Sequence, residues 1–357
     1  MNDANELISF IASMSGEGNL RVEENLGEGY VRLRVSEAER RQAKHDIQHV
    51  EDIVIEMLRN ARDAGADKVY LATTKEDGVR TLVFLDNGSG VPQDMQERIF
   101  DARVTSKLES MKMDRWGVHG RGMALFSIKQ NTDEARVVAS DVDLGSVFKV
   151  SVATDRLGER ADQSSWPQAV KDEDGHYVCA RGPHNIIRAA CEFALAELRA
   201  CDVYLGSPSE IAATLHAQAS SRLDASRLLF IDDEAELPVV DRLGLASDAQ
   251  DFIRICSGLG LEMSERTAHR ILAGQIKPVR GVTARLLRER DSSSHASAPV
   301  DLAKDRRGLR IAKDDMAQFS RAVERDFNDL ASRYYLNLCG DPKIRVSRDR
   351  ITVTFDL

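Results

Sequence analysis

No apolar run in the 357 residues approaches the ~20 needed to cross a bilayer, which argues against a helical membrane span. The N-terminal residues, Met-Asn-Asp-Ala-Asn-Glu, lack a basic start and a cleavage site, so no signal peptide is expected and a cytoplasmic location is. Cysteine is sparse and scattered: Cys179, Cys191, Cys201, Cys256 and Cys339 are odd in number and show no C-x-x-C spacing. That pattern argues against a disulfide framework or a zinc site and suits a reducing compartment. Positive charge is in deficit. Forty-nine Lys and Arg against 58 Asp and Glu give a net charge of −9, which argues against coating nucleic acid throughout but permits a local basic patch. The apolar content of 42 % and charged content of 30 % are those of a globular protein with room for two or three domains.

Residues 1–50 read as a leader. Residues 5–14 predict an amphipathic helix and Arg21 to Val35 a hairpin turning near Gly27-Glu-Gly29; Ser36 with Glu39 predicts a capped helix running toward His45.

Three short motifs then fall between Glu51 and Lys129. The first, Glu56-Met-Leu-Arg-Asn60-Ala-Arg-Asp63-Ala64-Gly65, predicts a helix over about 49–64. Glu56, Asn60 and Asp63 share one face of it, Ile53, Met57 and Ala61 an adjoining apolar stripe, and Gly65 ends it in a left-handed conformation. Strands at 69–73 and 80–85, joined by Glu76-Asp-Gly78, deliver the second motif, Asp86-Asn-Gly88-Ser-Gly90-Val91. Glycines there would let backbone approach a flat base. The third, Trp116-Gly117-Val-His119-Gly120-Arg121-Gly122-Met123, opens an apolar helix whose free N–H groups suit phosphate oxygens. Residues 137–139 and 146–152 predict closing strands.

The three motifs in this order resemble the nucleotide site of the GHKL superfamily, with most similarity to its MutL-type and histidine-kinase-type ATPase domains. The resemblance implies a Bergerat-type two-layer α/β sandwich over 51–155, binding ATP and Mg²⁺. It also implies the roles. Glu56 would be the catalytic base and Asn60 the Mg²⁺ ligand. Asp86 would accept the adenine amine, with Asp63 in support through water. Gly88, Gly90, Gly117, Gly120 and Gly122 would line the nucleotide loops, with Lys107, His119 and Arg121 as phosphate contacts. Ser146 stands where the family usually has Thr, and keeps the hydroxyl. Residues 92–122 would form a lid. The leader would be either a dimer-forming strap, as in several superfamily members, or an extra layer on the domain. No phosphate-sensing lysine from a second domain is identifiable.

The resemblance ends near residue 155. Residues 156–183 read as polar loop, 186–198 as a helix, 203–205 as a strand, and Ser207-Pro208-Ser-Glu210 as a helix start; the remaining 184–290 reads as mainly helical, in an α+β C-terminal region. Within 246–290, helices over 248–257 and 265–273 flank Gly258-Leu-Gly260 in a helix-turn-helix pattern. Between Ser264 and Arg290 seven Lys or Arg face two acids. Arg266, His269 and Arg270 are candidate DNA base contacts, and Lys277 and Arg280 phosphate contacts; the alternative is a helical hairpin with a solvated basic face. Residues 292–299 read as a linker. Within 300–357, Met316, Phe319, Val323, Phe327, Leu330, Tyr334 and Leu338 form a helical stripe for core or dimer contacts, and 343–346 with 351–355 a closing hairpin.

The expected activity is an ATP-hydrolysing switch controlling a C-terminal interaction module, with an unidentified protein or DNA as partner and a possible homodimer. Two alternatives stay open: a kinase acting on a separate protein, and an ATP-sensing DNA-binding regulator with little turnover. An intact autokinase is disfavoured, because His45 and His49 lie too close to Glu56 to belong to a separate phosphoacceptor hairpin.

Overall fold

A computed structural model describes residues 22–106, 112–114, 116–119, 122–160, 162–223, 231, 233–287, 313–334, 342–346 and 351–355. The expected helix at 5–14 and the 292–299 linker lie outside these residues. The chain divides into two compact units, 1–288 and 289–357.

The local rules operate as the sequence predicts. β1 (Val22–Gly27) and β2 (Tyr30–Leu33) form an antiparallel hairpin. α1 (Glu37–Asp46) begins at a capping box, Ser36 with Glu39. α2 (Val50–Asp63) is opened by Asp52, whose carboxylate accepts the N–H groups of Gln48 and His49 at 2.8 Å each. It closes in a Schellman motif: Gly65 sits at φ 77°, its N–H donates to Arg62 O, and Ala66 N–H donates to Ala61 O.

β3 (Lys68–Glu76), β4 (Val79–Asp86), β5 (Val104–Thr105), β6 (Lys112–Asp114), β7 (Gly117–His119), α3 (Ala124–Asn131), β8 (Glu134–Ser140) and β9 (Ser146–Ala153) follow. Next come β10 (Gln168–Lys171), β11 (Tyr177–Arg181), α4 (Ile186–Ala196), β12 (Asp202–Gly206), α5 (Pro208–Arg222), α6 (Ala249–Gly258) and α7 (Glu265–Leu272). One five-stranded mixed sheet has the order β12-β3-β4-β9-β8, with β12 parallel to β3 and the other pairs antiparallel. The sheet therefore takes one strand from beyond residue 155.

Both faces of this sheet are buried. Leu71, Leu82, Phe84, Phe148 and Val150 pack with residues of α2, α3 and α4 on one side. Tyr70, Ala72, Val83, Leu85 and Val147 pack with residues of α5, α6 and α7 on the other. The expected α/β sandwich is present, and helices of the second half add a further layer behind it. Alternate residues of Leu82-Val-Phe-Leu85 thus enter different cores, which is why the strand is apolar without interruption.

One expectation changes. Residues 168–171 and 177–181, read as loop, pair as the β10–β11 hairpin. The turn signal Asp172-Glu-Asp-Gly175 is present in the sequence, but the flanking residues lack strand alternation, since most are exposed or half-exposed.

In the second unit, α8 (Lys313–Tyr334) is followed by the hairpin β13 (Lys343–Val346) and β14 (Ile351–Thr354). Phe327 stacks on Phe355 with ring centroids 3.9 Å apart, while Phe319 of the expected stripe is 41 % exposed. Leu338 lies outside the described residues. Among the described residues no helix is long and apolar enough to cross a membrane.

Candidate nucleotide site

A cavity of about 590 Å³ opens between the helical layer and the sheet, within the usual range for small-molecule sites. α2 supplies Glu56, Arg59, Asn60 and Asp63 to its wall; the end of β4 supplies Asp86, and the start of β9 supplies Ser146. Ser89, Gly90 and Val91 follow from the loop after β4, and Gly122, Met123 and Ala124 from the start of α3. Helical spacing thus carries the first motif into the cavity as one face, and strand registry places Asp86 directly opposite Ser146.

The contacts are specific. Asp86 is 4 % exposed, and its Oδ1 accepts the Gly88 N–H at 2.8 Å. Ser140 Oγ accepts the Val91 N–H at 2.8 Å, donates to Gly145 O at 2.8 Å, and lies 3.1 Å from Ser146 Oγ. The second-motif loop is therefore tied to β8 and β9. Glu56 receives a 2.7 Å hydrogen bond from Arg59 Nη1. Asp63 pairs with Arg62 Nε at 3.0 Å, and Arg62 Nη1 reaches Glu197, just past α4, at 3.0 Å.

Two expectations about glycine acquire a different cause. A Cβ on Gly90, at φ 72°, would lie 1.8 Å from Asp141 O; one on Gly88 would lie 2.8 Å from Ala64 O. These positions need glycine to let protein backbone pass protein backbone. Gly88 lies off the cavity wall and bears on the site through the Asp86 carboxylate.

Gly117 and His119 belong to β7, and Trp116 beside them lines the wall. Lys107, Gly120 and Arg121 lie outside the described residues.

The leader contributes what the motifs did not announce. Tyr30, Gln42, Asp46 and Ile47 line the same cavity. β2 pairs with β5, Arg32 bonds Asp101 at 2.9 Å, and Arg103 pairs with Glu39, so the leader is fastened to the first part of the lid in its own chain. Burial pushes the Tyr30 phenol above its ordinary range, against a smaller downward pull from its hydrogen bond with Ser106. No local pattern in 21–46 signals this role, because the partners are more than fifty residues away. Trp116 stacks on Phe193 of α4, with centroids 6.2 Å apart.

The donor set suits a magnesium nucleotide. The described wall carries four carboxylates, Asp46, Glu56, Asp63 and Asp86, and one guanidinium, and its oxygen donors suit a divalent cation of magnesium's kind. Asn60 Nδ2 is enclosed without a hydrogen-bond partner. An amide buried in that way is poised for a ligand, and its oxygen and nitrogen ends can be exchanged by a flip.

Residues 47–140 match the family model described as histidine kinase-, DNA gyrase B- and HSP90-like ATPase. A stretch of 136 residues is 28 % identical to the DNA mismatch repair protein MutL of Staphylococcus aureus strains Newman and JH1, covering 35 % of this chain and 20 % of those proteins. The match thus spans about a fifth of the length of these curated relatives. The three motifs fall within the matched residues 47–140, so this part of the chain is similar to GHKL-type ATPase domains, and a stretch of the chain is similar to part of MutL.

Proposed function

We propose that this chain is a Mg²⁺-dependent ATPase whose nucleotide state controls an interaction surface in residues 246–290. The observation that carries the reading is the convergence of Glu56, Asn60, Asp63, Asp86 and Ser146, from three separate elements, on one cavity. Asp86 accepts the exocyclic amine of adenine, which selects against guanine because guanine presents a carbonyl there. Asn60 holds the metal through its amide oxygen. Bound Mg²⁺ supplies charge neutralisation across the phosphates, in keeping with its preference for oxygen ligands. Glu56, one turn earlier on α2, orients a water and takes its proton as the water oxygen bonds the γ-phosphorus and the bond to the β-phosphate oxygen breaks. ADP and phosphate leave.

The coupling half of the proposal is supported by the Arg62–Glu197 pair and the Trp116–Phe193 stack, which join the site to residues beyond 140. It is supported too by the shared sheet, whose rear face packs on α6 and α7. On α7, Ala268 and Ile271 are buried while Arg266, His269 and Arg270 are exposed around a shallow depression; Lys277 and Arg280 are exposed beyond it. That outward basic face favours DNA as the second partner. Replacing Arg266 and Arg270 with Ala should then weaken duplex binding and lower the salt slope by roughly one per lost phosphate contact.

The decisive comparison is Mg-ATP binding and phosphate release by wild type, Glu56→Ala and Asp86→Asn. Binding lost in Asp86→Asn, with release alone lost in Glu56→Ala, is the expected result. Wild-type binding without release would refute hydrolysis, and phosphate appearing on a co-purifying protein would move the reading to a kinase.

A further inference from the structure

Arg59 is the one Lys or Arg on the described cavity wall, and nothing in the three motifs assigns it a task. Its side chain is 2 % exposed, against 22 % for its partner Glu56. The two lie three residues apart on α2, as neighbours on the helix surface, and the 2.7 Å contact is short enough for a charge-assisted hydrogen bond. The guanidinium is thus the more deeply buried partner, and the carboxylate the more accessible one.

Burying a guanidinium is costly unless it is well paired, and an apolar residue there would often serve stability equally well. Its presence at a nucleotide cavity asks for a chemical reason. A carboxylate that must activate water beside a polyphosphate is pushed away by the charge of its own substrate. A cation fixed behind it opposes that push, and arginine keeps its charge at any working pH.

We propose that Arg59 is the positioning residue of the general base: it holds Glu56 Oε1 so that the carboxylate keeps its aim when the phosphates arrive. This rests on the ATPase reading of the same site. Arg59 takes no part in bond making; the proton of the attacking water passes to Glu56, and the guanidinium stabilises the orientation from which that transfer occurs. A base oriented by a third group is a recurrent arrangement in activated sites.

The test uses the full chain in six forms: wild type, Arg59→Lys, Arg59→Gln, Glu56→Ala, and Glu56→Ala combined with either Arg59 change. Each is assayed for phosphate release, for affinity toward a non-hydrolysable Mg-ATP analogue by equilibrium dialysis, and for melting temperature. Arg59→Gln should lower kcat roughly 10–100-fold, the range seen when a group orienting a functional ligand is removed. Analogue affinity should stay within about a factor of three, as for an interaction absent from ground-state binding. Arg59→Lys should recover part of the rate. In the Glu56→Ala background neither change should alter the residual rate, because a residue acting through Glu56 has nothing left to act on.

Wild-type rate in Arg59→Gln would overturn the proposal, and so would a loss confined to affinity. A further loss in the Glu56→Ala background would also overturn it, by showing that Arg59 acts on the phosphates directly. If Arg59→Gln fails to fold, the Arg59→Lys pair decides by the same criteria: an unchanged rate with unchanged affinity overturns the proposal. Absence of release from wild type would remove the ATPase reading and the proposal together, whereas the other results leave that reading standing.

Discussion

Gly90 offers a way to separate two causes that a glycine motif confounds. If glycine is needed so that a base can approach, Gly90→Ala should weaken nucleotide binding and leave the fold alone. If it is needed because Asp141 O occupies the space, the fold itself should suffer. The structure gives the sizes. Gly65 and Gly90 share a left-handed backbone, at φ 77° and 72°, but a Cβ on Gly65 meets nothing within 4 Å. Gly65→Ala therefore carries only the left-handed cost, about 1–2 kcal/mol. Gly90→Ala carries that cost plus the displacement of a backbone carbonyl that stands 1.8 Å from the new Cβ. Overpacking adds about 1–3 kcal/mol, for a total of about 2–5 kcal/mol. Gly88→Ala, without a positive φ but 2.8 Å from Ala64 O, isolates the packing contribution. In a unit of this size each kcal/mol lowers the melting temperature by about 2 °C, so Gly90→Ala should fall by about 4–10 °C. Urea unfolding followed by far-UV circular dichroism, with nucleotide affinity measured alongside, reads the series. Equal losses for Gly65→Ala and Gly90→Ala would refute the packing argument, as would a Gly90→Ala variant that is stable but cannot bind ATP.

Other perturbations test separate contacts. Hydrogen bonds from the hydroxyls of Ser165 and Ser164, then from their N–H groups, hold the Asp162 carboxylate down at about 2. Because the folded value lies below the ordinary 3.8, the stabilisation is present above that pH and disappears as pH falls through about 2. Asp162→Asn should lower the melting temperature at pH 7 and make little difference near pH 2. Glu197→Gln breaks a 3.0 Å pair with Arg62 whose side chains are 12 % and 22 % exposed, and should cost about 1–2 kcal/mol, seen as a lower urea midpoint with unchanged slope. Of the two tryptophans only Trp116 lines the cavity, so a fluorescence change on adding Mg-ATP should vanish in Trp116→Phe and survive in Trp166→Phe.

What could be read in the sequence was local. The α2 face, the Schellman ending at Gly65, the capping boxes and the β3–β4 hairpin depend on neighbours within a few residues, and each formed where the residues required. The cavity wall from Glu56 to Asp86 followed from helix spacing and the end of one strand. Non-local features were harder. That Gly90 serves Asp141 and that Tyr30, Gln42 and Asp46 reach the cavity depend on pairings without a local pattern. The layer behind the sheet did leave a trace: Leu82-Val-Phe-Leu85 is apolar on every residue, which a strand open on one face would not be. Arg59 lies between Glu56 and Asn60 on α2, and nothing in its neighbours foretells a buried guanidinium.

The pairing of β12 with β3 also has a consequence in time. Asp202 lies beside Lys68, so the first strand of the sheet waits for a neighbour made 134 residues later. At about 5–20 residues per second on the ribosome, that delay is roughly 7–27 s. Throughout it Lys68–Ala72 carries a row of unbonded peptide groups, capable of pairing with any similar strand on an adjacent nascent chain. Synthesis rate and chaperone access over residues 87–206 therefore bear on how much of this protein reaches its native state, independently of how stable that state is.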